Sequence, residues 1–387
     1  MAQSDLMDRA SQAAAVAAQY CEEVDASARF PHEAIRAMRD SRLLGVMIPR
    51  DLGGEDASLS DVAEVCCLLG QHCSSTAMVY AMHQIKVSSL VSHGRGSNWH
   101  RDFMARVASD QLLLGSSTTE AGTGGDLGAS VCAIERDGND FTVRKEASVI
   151  SYARQSDAIL ITTRRAPDAP ASDQVMAVLT KDQYRLEKTA DWNTLGMRGT
   201  CSEGFIFEGR APAEQIFPEP FADIAARSML AHAHILWGSL WCGIAMNALS
   251  RAQAYIRAEA RKKPGATPTG AARVGNAASM LQLMRSSLKT AIRRYESALA
   301  SPDELTTMSF ALDMNNLKIG ASRLTVEIIQ EALMVCGIHG YKNDTPYSVG
   351  RHLRDALSAP LMINNDRIAG NTSNLLLVHR LDQRLAG

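Results

Sequence analysis

The sequence predicts an α+β chain in three parts: an N-terminal α-helical domain over residues 1–112, a middle antiparallel β domain over 113–219 and a C-terminal four-helix bundle over 220–387. Three observations predict it. Apolar residues recur at helical spacing through the first third. Between Leu112 and Phe217 the pattern changes to short β-branched runs punctuated by Pro167, Pro170, Pro212 and Pro218. After Phe221 long helical patterns return, interrupted at Lys263-Pro264-Gly265 and at Ser301-Pro302.

The elements follow in order. Pro31 to Arg42 is amphipathic, with Ile35, Met38 and Leu43 roughly on one side, Pro31 suited to a first helical turn and Gly45 ending the run. Ile48 to Gly54 is a turn-rich link that no helix crosses. Ser58 or Ser60 caps a helix carrying Val62, Val65 and Leu69. Thr76 to His93 and Asn98 to Ala108 complete the first part. In the second part, Ser130 to Arg136 and Phe141 to Arg144 flank Asp137-Gly138, a tight-turn dipeptide. Ala158 to Thr163, Val175 to Thr180 and Phe205 to Phe207 are further strands. In the third part, helices are expected over Phe221–Lys262, Ala271–Ala300, Asp303–Val335 and about Asn365–Arg384, long enough to pack as a bundle.

Composition narrows the function classes. Hydrophobic residues make 46% of the chain and charged residues 21%, and the net charge is −2. With no basic stripe, nucleic acid is not an expected partner. The first 20 residues lack the basic start and apolar core of a signal peptide. No stretch nears the roughly 18 uninterrupted apolar residues of a membrane span, so the expectation is a cytoplasmic protein. The eight cysteines follow no metal-ligand spacing and read as buried small hydrophobes in a reducing compartment. The 17 methionines read mainly as core filler.

Two glycine-rich segments stand where the pattern changes. Gly115 to Asp126 offers hydroxyls and backbone N–H groups at the mouth of the β domain, which suit the nitrogen and oxygen edge of a flavin and a pyrophosphate. Together with five other ordered segments it resembles the acyl-CoA dehydrogenase family. Those segments are Phe30-Pro31 through Gly54, Ile150-Ser151, Leu195 to Thr200, Cys336 to Tyr341 and Arg354-Asp355. The resemblance implies that family's fold, FAD, a homo-oligomer (tetramer or dimer) and an acyl thioester substrate on coenzyme A or a carrier protein. An electron-transfer flavoprotein or a flavin reductase is the implied redox partner. Carried over by position, it implies that Ser116, Thr118, Thr119 and Ser151 touch the flavin ring and that Gly124 and Gly125 approach the diphosphate. Arg261 would reach a neighbouring subunit's FAD, and Gly337 and Gly340 would flank the adenosine end.

The departures concern chemistry. The flavin-loop Pro is Ala121, its Ser is Gly125, and the Trp before the Ile-Thr segment is Val149. The family's base is a Glu eight residues after the Arg-Asp pair, where Ile363 stands here. A minority keeps the Glu ten residues before a Gly matching Gly243, where Ala233 stands, between His232 and His234. His232 and His234 are therefore candidate bases, with Asp366 and His83 as further candidates. Trp237 and Trp241 either narrow the cavity near the flavin or pack the core. The first functional expectation is α,β-dehydrogenation of an acyl thioester with a relocated base. The alternative is a flavin-dependent monooxygenase or oxidase on the same fold, using reduced flavin and O2. A non-catalytic flavoprotein is the third.

Overall fold

The computed structural model describes residues 2–123 and 126–381. Five helices come first: α1 (Ala2–Ala26), α2 (His32–Asp40), α3 (Leu59–His72), α4 (Ser74–His93) and α5 (Asn98–Asp110). The capping question is settled at Ser58. Its hydroxyl accepts from Asp61 N–H at 3.1 Å and the Asp61 carboxylate accepts from Ser58 N–H at 3.0 Å, which satisfies two orphan donors reciprocally.

Seven strands follow: β1 (Leu114–Ser117), β2 (Ile134–Asp137), β3 (Asp140–Ile150), β4 (Ala158–Arg164), β5 (Gln174–Thr180), β6 (Tyr184–Ala190) and β7 (Glu203–Pro212). They form two sheets, β1-β4-β5 and β2-β3-β7-β6. Gly138 with φ +62° turns β2 into β3. The pairings are antiparallel except β1 with β4, which run parallel with Leu114 opposite Ala158. That exception brings the end of β1, and the segment after it, alongside the central strand β4. The sequence pattern missed β6. Its residues Tyr-Arg-Leu-Glu-Lys-Thr-Ala lie at an exposed edge, so no buried alternation marks them. Ile134, Phe141, Val143, Ile159, Ile161, Phe205 and Phe207 make this region's own core between the sheets.

The remaining helices are α6 (Phe221–Ile224), α7 (Leu230–Lys262), α8 (Ala271–Ala298), α9 (Met308–Cys336), α10 (Ile338–Tyr341), α11 (Gly350–Ala356) and α12 (Asn365–Leu376). A π-helical turn, Ala225–Met229, joins α6 to α7. The expected third helix starts later than Asp303 because Pro302–Thr306 forms a 3-10 turn, after which Thr307 caps α9. The run Phe221–Lys262 is long and apolar enough to cross a membrane, yet 89% of its most apolar stretch is buried inside the fold. It is the central core helix. α7 packs on α3, α4, α8 and α9, so one continuous core links the first and third parts.

The α3–α7 crossing is set by two glycines. A Cβ on Gly243 would lie 2.1 Å from Cys67 O, and one on Gly70 would lie 2.3 Å from Leu240 O. The helices thus touch backbone to backbone at both points. Gly243→Ala is expected to force them apart and destabilise the protein by about 1–3 kcal/mol, the range of core overpacking with backbone shift. Urea unfolding measures this, and a change below about 0.5 kcal/mol would contradict the close-contact reading.

Candidate active site

A cavity of about 650 Å³ opens where the β domain meets both helical parts. Its β wall carries hydroxyls. Ser116 lies in β1 and Thr118 just after it, and neither hydroxyl has a partner among the described residues. Thr119 donates to Val149 O at 3.1 Å. Ser151, at the end of β3, shares a 2.7 Å hydrogen bond with Ser202, which in turn meets Thr200 Oγ1 at 2.8 Å. Trp192 closes this side, its indole N–H held by Met197 O at 3.1 Å. The β wall is rigid for identifiable reasons. Lys145, wholly buried, donates to Ser117 O and Thr162 O and so ties the end of β1 to β4. Glu120, in the Thr-Glu motif, lines no part of the cavity. Its carboxylate accepts from Ser130 Oγ and from the N–H groups of Val131 and Cys132, which fastens the flavin loop to the segment before β2.

The opposite wall is apolar. α4 contributes Met78, Met82, Ile85 and Lys86, spaced i, i+4, i+7, i+8 on one face. The π turn and α7 contribute Met229, Leu230, Ala233 and Trp237, again one helical face. Leu357, Ser358 and residues 361–364 make the third side, with Arg354 and Arg367. Ile363 holds φ +49°, a costly conformation for a β-branched residue. Lys318 on α9 holds it there: its buried ammonium donates to Ala359 O (3.1 Å), Ile363 O (2.6 Å) and Asn365 Oδ1 (2.7 Å).

Both positions that the resemblance assigns to a carboxylate base, Ile363 and Ala233, line this one cavity. None of the expected replacements does. His232 and His234 flank Ala233 but turn away from it. His232 Nδ1 lies 3.0 Å from Ser228 O and its ring meets Tyr295 edge-on; His234 Nδ1 lies 3.0 Å from Met314 O. Burial pushes both imidazoles down to about 4. Asp366 is exposed beside the Asn364 cap of α12, outside the cavity lining. His83 spends both ring nitrogens on the scaffold. Nδ1 accepts from Leu114 N–H at 3.0 Å and Nε2 donates to Leu44 O at 2.8 Å, and burial holds it too at about 4. The physical reason is common: helical periodicity put these residues near the site, but only one face of each helix reaches it. Among the described residues the lining has no Asp, Glu or His. Its charged members are Lys86, Arg354 and Arg367.

Of the expected flavin contacts, Ser116, Thr118, Thr119 and Ser151 share the hydroxyl wall. Gly124 and Gly125 lie outside the described residues. Arg261 is exposed at the end of α7, Gly337 is exposed with φ +55° where α9 turns into α10, and Gly340 is buried in that turn. None of these three lines the cavity. Unpartnered hydroxyls opposite an apolar slab fit an isoalloxazine ring, whose edge is polar and whose faces are not. Sequence reading passed over Lys86, although it is the sole Lys or Arg in α4. It also set methionine aside as core filler, yet Met78, Met82, Met197, Met229 and Met362 all line the cavity. Trp237 lines it, while Trp241 is fully buried in the core.

Comparison with known proteins agrees with this architecture. Residues 2–110 match the family model for the acyl-CoA dehydrogenase N-terminal domain, and residues 224–363 match that for the acyl-CoA dehydrogenase C-terminal domain. Cyclohex-1-ene-1-carbonyl-CoA dehydrogenase of Syntrophus aciditrophicus is 24% identical over 355 residues, 89% of this chain and 82% of the relative. SfnC of Pseudomonas putida, named as a probable FMNH2-dependent monooxygenase, is 26% identical over 320 residues, 78% of this chain and 77% of the relative. FMN-bound TdsC from Paenibacillus sp. A11-2 has the same fold, with a TM-score of 0.85 at 19% identity over 97% of this chain and 98% of that one.

The buried histidines predict acid sensitivity. His83, His232 and His234 sit folded at about 4, against about 6.5 when unfolded. Between those values the unfolded chain binds more protons, so stability is complete above pH 6.5 and falls as pH drops toward 4. Each histidine contributes at most about 3 kcal/mol to the loss. The urea midpoint is expected to fall clearly from pH 7 to pH 5, and a flat midpoint would refute the neutral, buried assignment.

Proposed function

The chain belongs to the acyl-CoA dehydrogenase family, and from that premise we propose that it is a flavin-dependent monooxygenase. A separate reductase would supply reduced flavin, and one atom of O2 would enter a small, mostly apolar substrate while the other leaves as water. The observation that carries this reading is that Ile363 and Ala233 both face the cavity and neither can take a proton. Removal of an α proton from a thioester needs a base within reach of that carbon. Oxygen transfer to an apolar substrate has no such requirement.

Bound reduced flavin supplies the two electrons that activate O2. The chain's own residues do the rest. Ser116, Thr118, Thr119 and Ser151 would hold the polar edge of the ring. Met78, Met82, Ile85, Met229, Leu230 and Trp237 would seat the substrate and exclude water, which limits unproductive side reactions. SfnC and TdsC support the reading, the first by sequence and by its name, the second by FMN bound on the same fold. The flavin retained, FMN or FAD, is read by mass spectrometry of the released cofactor. Exposed Met334, Ile338 and Tyr341 around the α9–α10 turn support assembly as a homo-oligomer.

A second reading, α,β-dehydrogenation of an acyl thioester, is favoured by relatives such as the Syntrophus enzyme. On these walls its only group titrating near neutrality is Lys86, pushed down to about 8 by burial. The two readings separate in one experiment. Loaded with flavin and mixed anaerobically with butyryl-, octanoyl- or benzoyl-CoA, the protein should show no bleaching at 450 nm. With reduced FMN from a reductase and air, it should oxygenate small aromatic or organosulfur compounds, with one ¹⁸O incorporated from ¹⁸O2. Bleaching by any thioester, lost in Lys86→Met, would establish the second reading instead.

A further inference from the structure

Among the described residues three lysines are buried, and two of them are saturated. Lys145 Nζ donates to Ser117 O, Thr162 O and Thr162 Oγ1 at 3.0, 2.7 and 3.4 Å. Lys318 Nζ likewise meets three oxygens, at 2.6 to 3.1 Å. Lys86 is different. It is 4% exposed, and its one partner among the described residues is the thioether of Met229, with Nζ 3.3 Å from Sδ. A thioether is a weak acceptor, and no carboxylate among the described residues pairs with this amine. Two of its three donors are unspent, and its side chain lines the cavity.

A buried amine without acceptors is costly to keep. Unlike Lys145 and Lys318, Lys86 stabilises no neighbouring loop or strand. Its contact is the apolar Met229, and Met82 and Ile85 share its face of α4 in the cavity lining. We propose that Lys86 is the anion-recognition point of the cavity, receiving the carboxylate or sulfonate of a small, otherwise apolar substrate. The inference rests on the proposed function only in taking the cavity as the substrate pocket. An oxyanion there completes the hydrogen bonding that the protein leaves open, and in this dry setting a charge-assisted pair outweighs a neutral one. Burial already weakens the amine, down to about 8, so it is the free site that bears the strain. Of the other two lining cations, Arg354 is committed to Asp25 and Leu195 O, and Arg367 is exposed and has a partner of its own.

The test compares isosteric pairs by calorimetry at pH 7 with FMN present: naphthalene-2-carboxylate against naphthalene-2-carboxamide, and benzenesulfonate against benzenesulfonamide. Wild type is expected to prefer the anion by about tenfold or more. Lys86→Met should bring the ratio to about one while keeping amide and FMN affinity, and Lys86→Arg should restore part of the preference. Lys86→Met should also raise Tm, because it removes an unpaired buried amine, whereas loss of a structural lysine would lower it. The proposal is overturned if wild type shows no anion preference on either pair. Retention of the preference by Lys86→Met would overturn it too, as would an equal loss of FMN affinity, which would assign the amine to the flavin. The ratio involves no O2, so a failed oxygenation assay beside an intact ratio would remove the proposed reaction and leave this site standing.

Discussion

The site depends on one joint, where residues 195–200 of the β domain meet Arg354 and Asp355. A Cβ on Gly196 would lie 2.2 Å from Arg354 O, so the two backbones are in direct contact. The buried Asp355 carboxylate accepts from Met197 N–H at 2.7 Å. Arg354 reaches back to Leu195 O and across to Asp25 of α1, and Gly199 N–H donates to Ser75 Oγ at the start of α4. All three parts of the chain are fixed to one another within a few residues. Leu195, Gly196, Met197 and Thr200 also line the cavity, so the same contact that closes the fold sets the distance between the hydroxyl wall and the helical wall. Burial raises the Asp355 carboxyl above its usual range, while Arg351 opposes that shift and helps keep it ionised.

That joint explains how the flavin-shaped half of the cavity and its reactive half can vary independently. The hydroxyls of Ser116, Thr118, Thr119, Ser151 and Ser202 belong to strand ends and are held by ladders and by Lys145. The side chains that would act on a substrate come from helix faces and from residues 361–364. Changing Glu to Ile or Ala there alters neither a strand nor the joint. A fold of this kind hosts more than one chemistry because the groups that decide chemistry are few and sit on surfaces the scaffold does not need.

How much was legible in the sequence follows from the same division. Helix spans, the capped start of α3, the β2–β3 turn and the three-part fold were legible because they rest on local periodicity and turn chemistry. The parallel β1–β4 pairing was not, since it joins residues 44 apart, and β6 was not, since an exposed edge strand carries no alternation. Short motifs named Ser116, Thr118, Thr119 and Ser151, and all four line the cavity. His232 and His234 were misleading because a position one residue either side of Ala233 turns about 100° around the helix axis. Lys86 was visible as a lone cation in α4, but whether its amine finds partners is a tertiary fact that no spacing reports.

The segment around Ile363 shows how the fold holds the position that the family resemblance assigns to a carboxylate. Its backbone keeps a left-handed residue where a β-branched side chain is strained. That strain is offset by Lys318, whose three donors bind Ala359 O, Ile363 O and Asn365 Oδ1. With no carboxylate in this network, burial pulls the Lys318 ammonium down to about 8. Replacing either end would expose the other's cost: without the lysine Ala359 O and Ile363 O lose a donor, and without the turn the lysine loses its acceptors. The device shapes the cavity wall whatever side chain residue 363 carries. It therefore fixes the backbone of a cavity wall whose described residues include no acid.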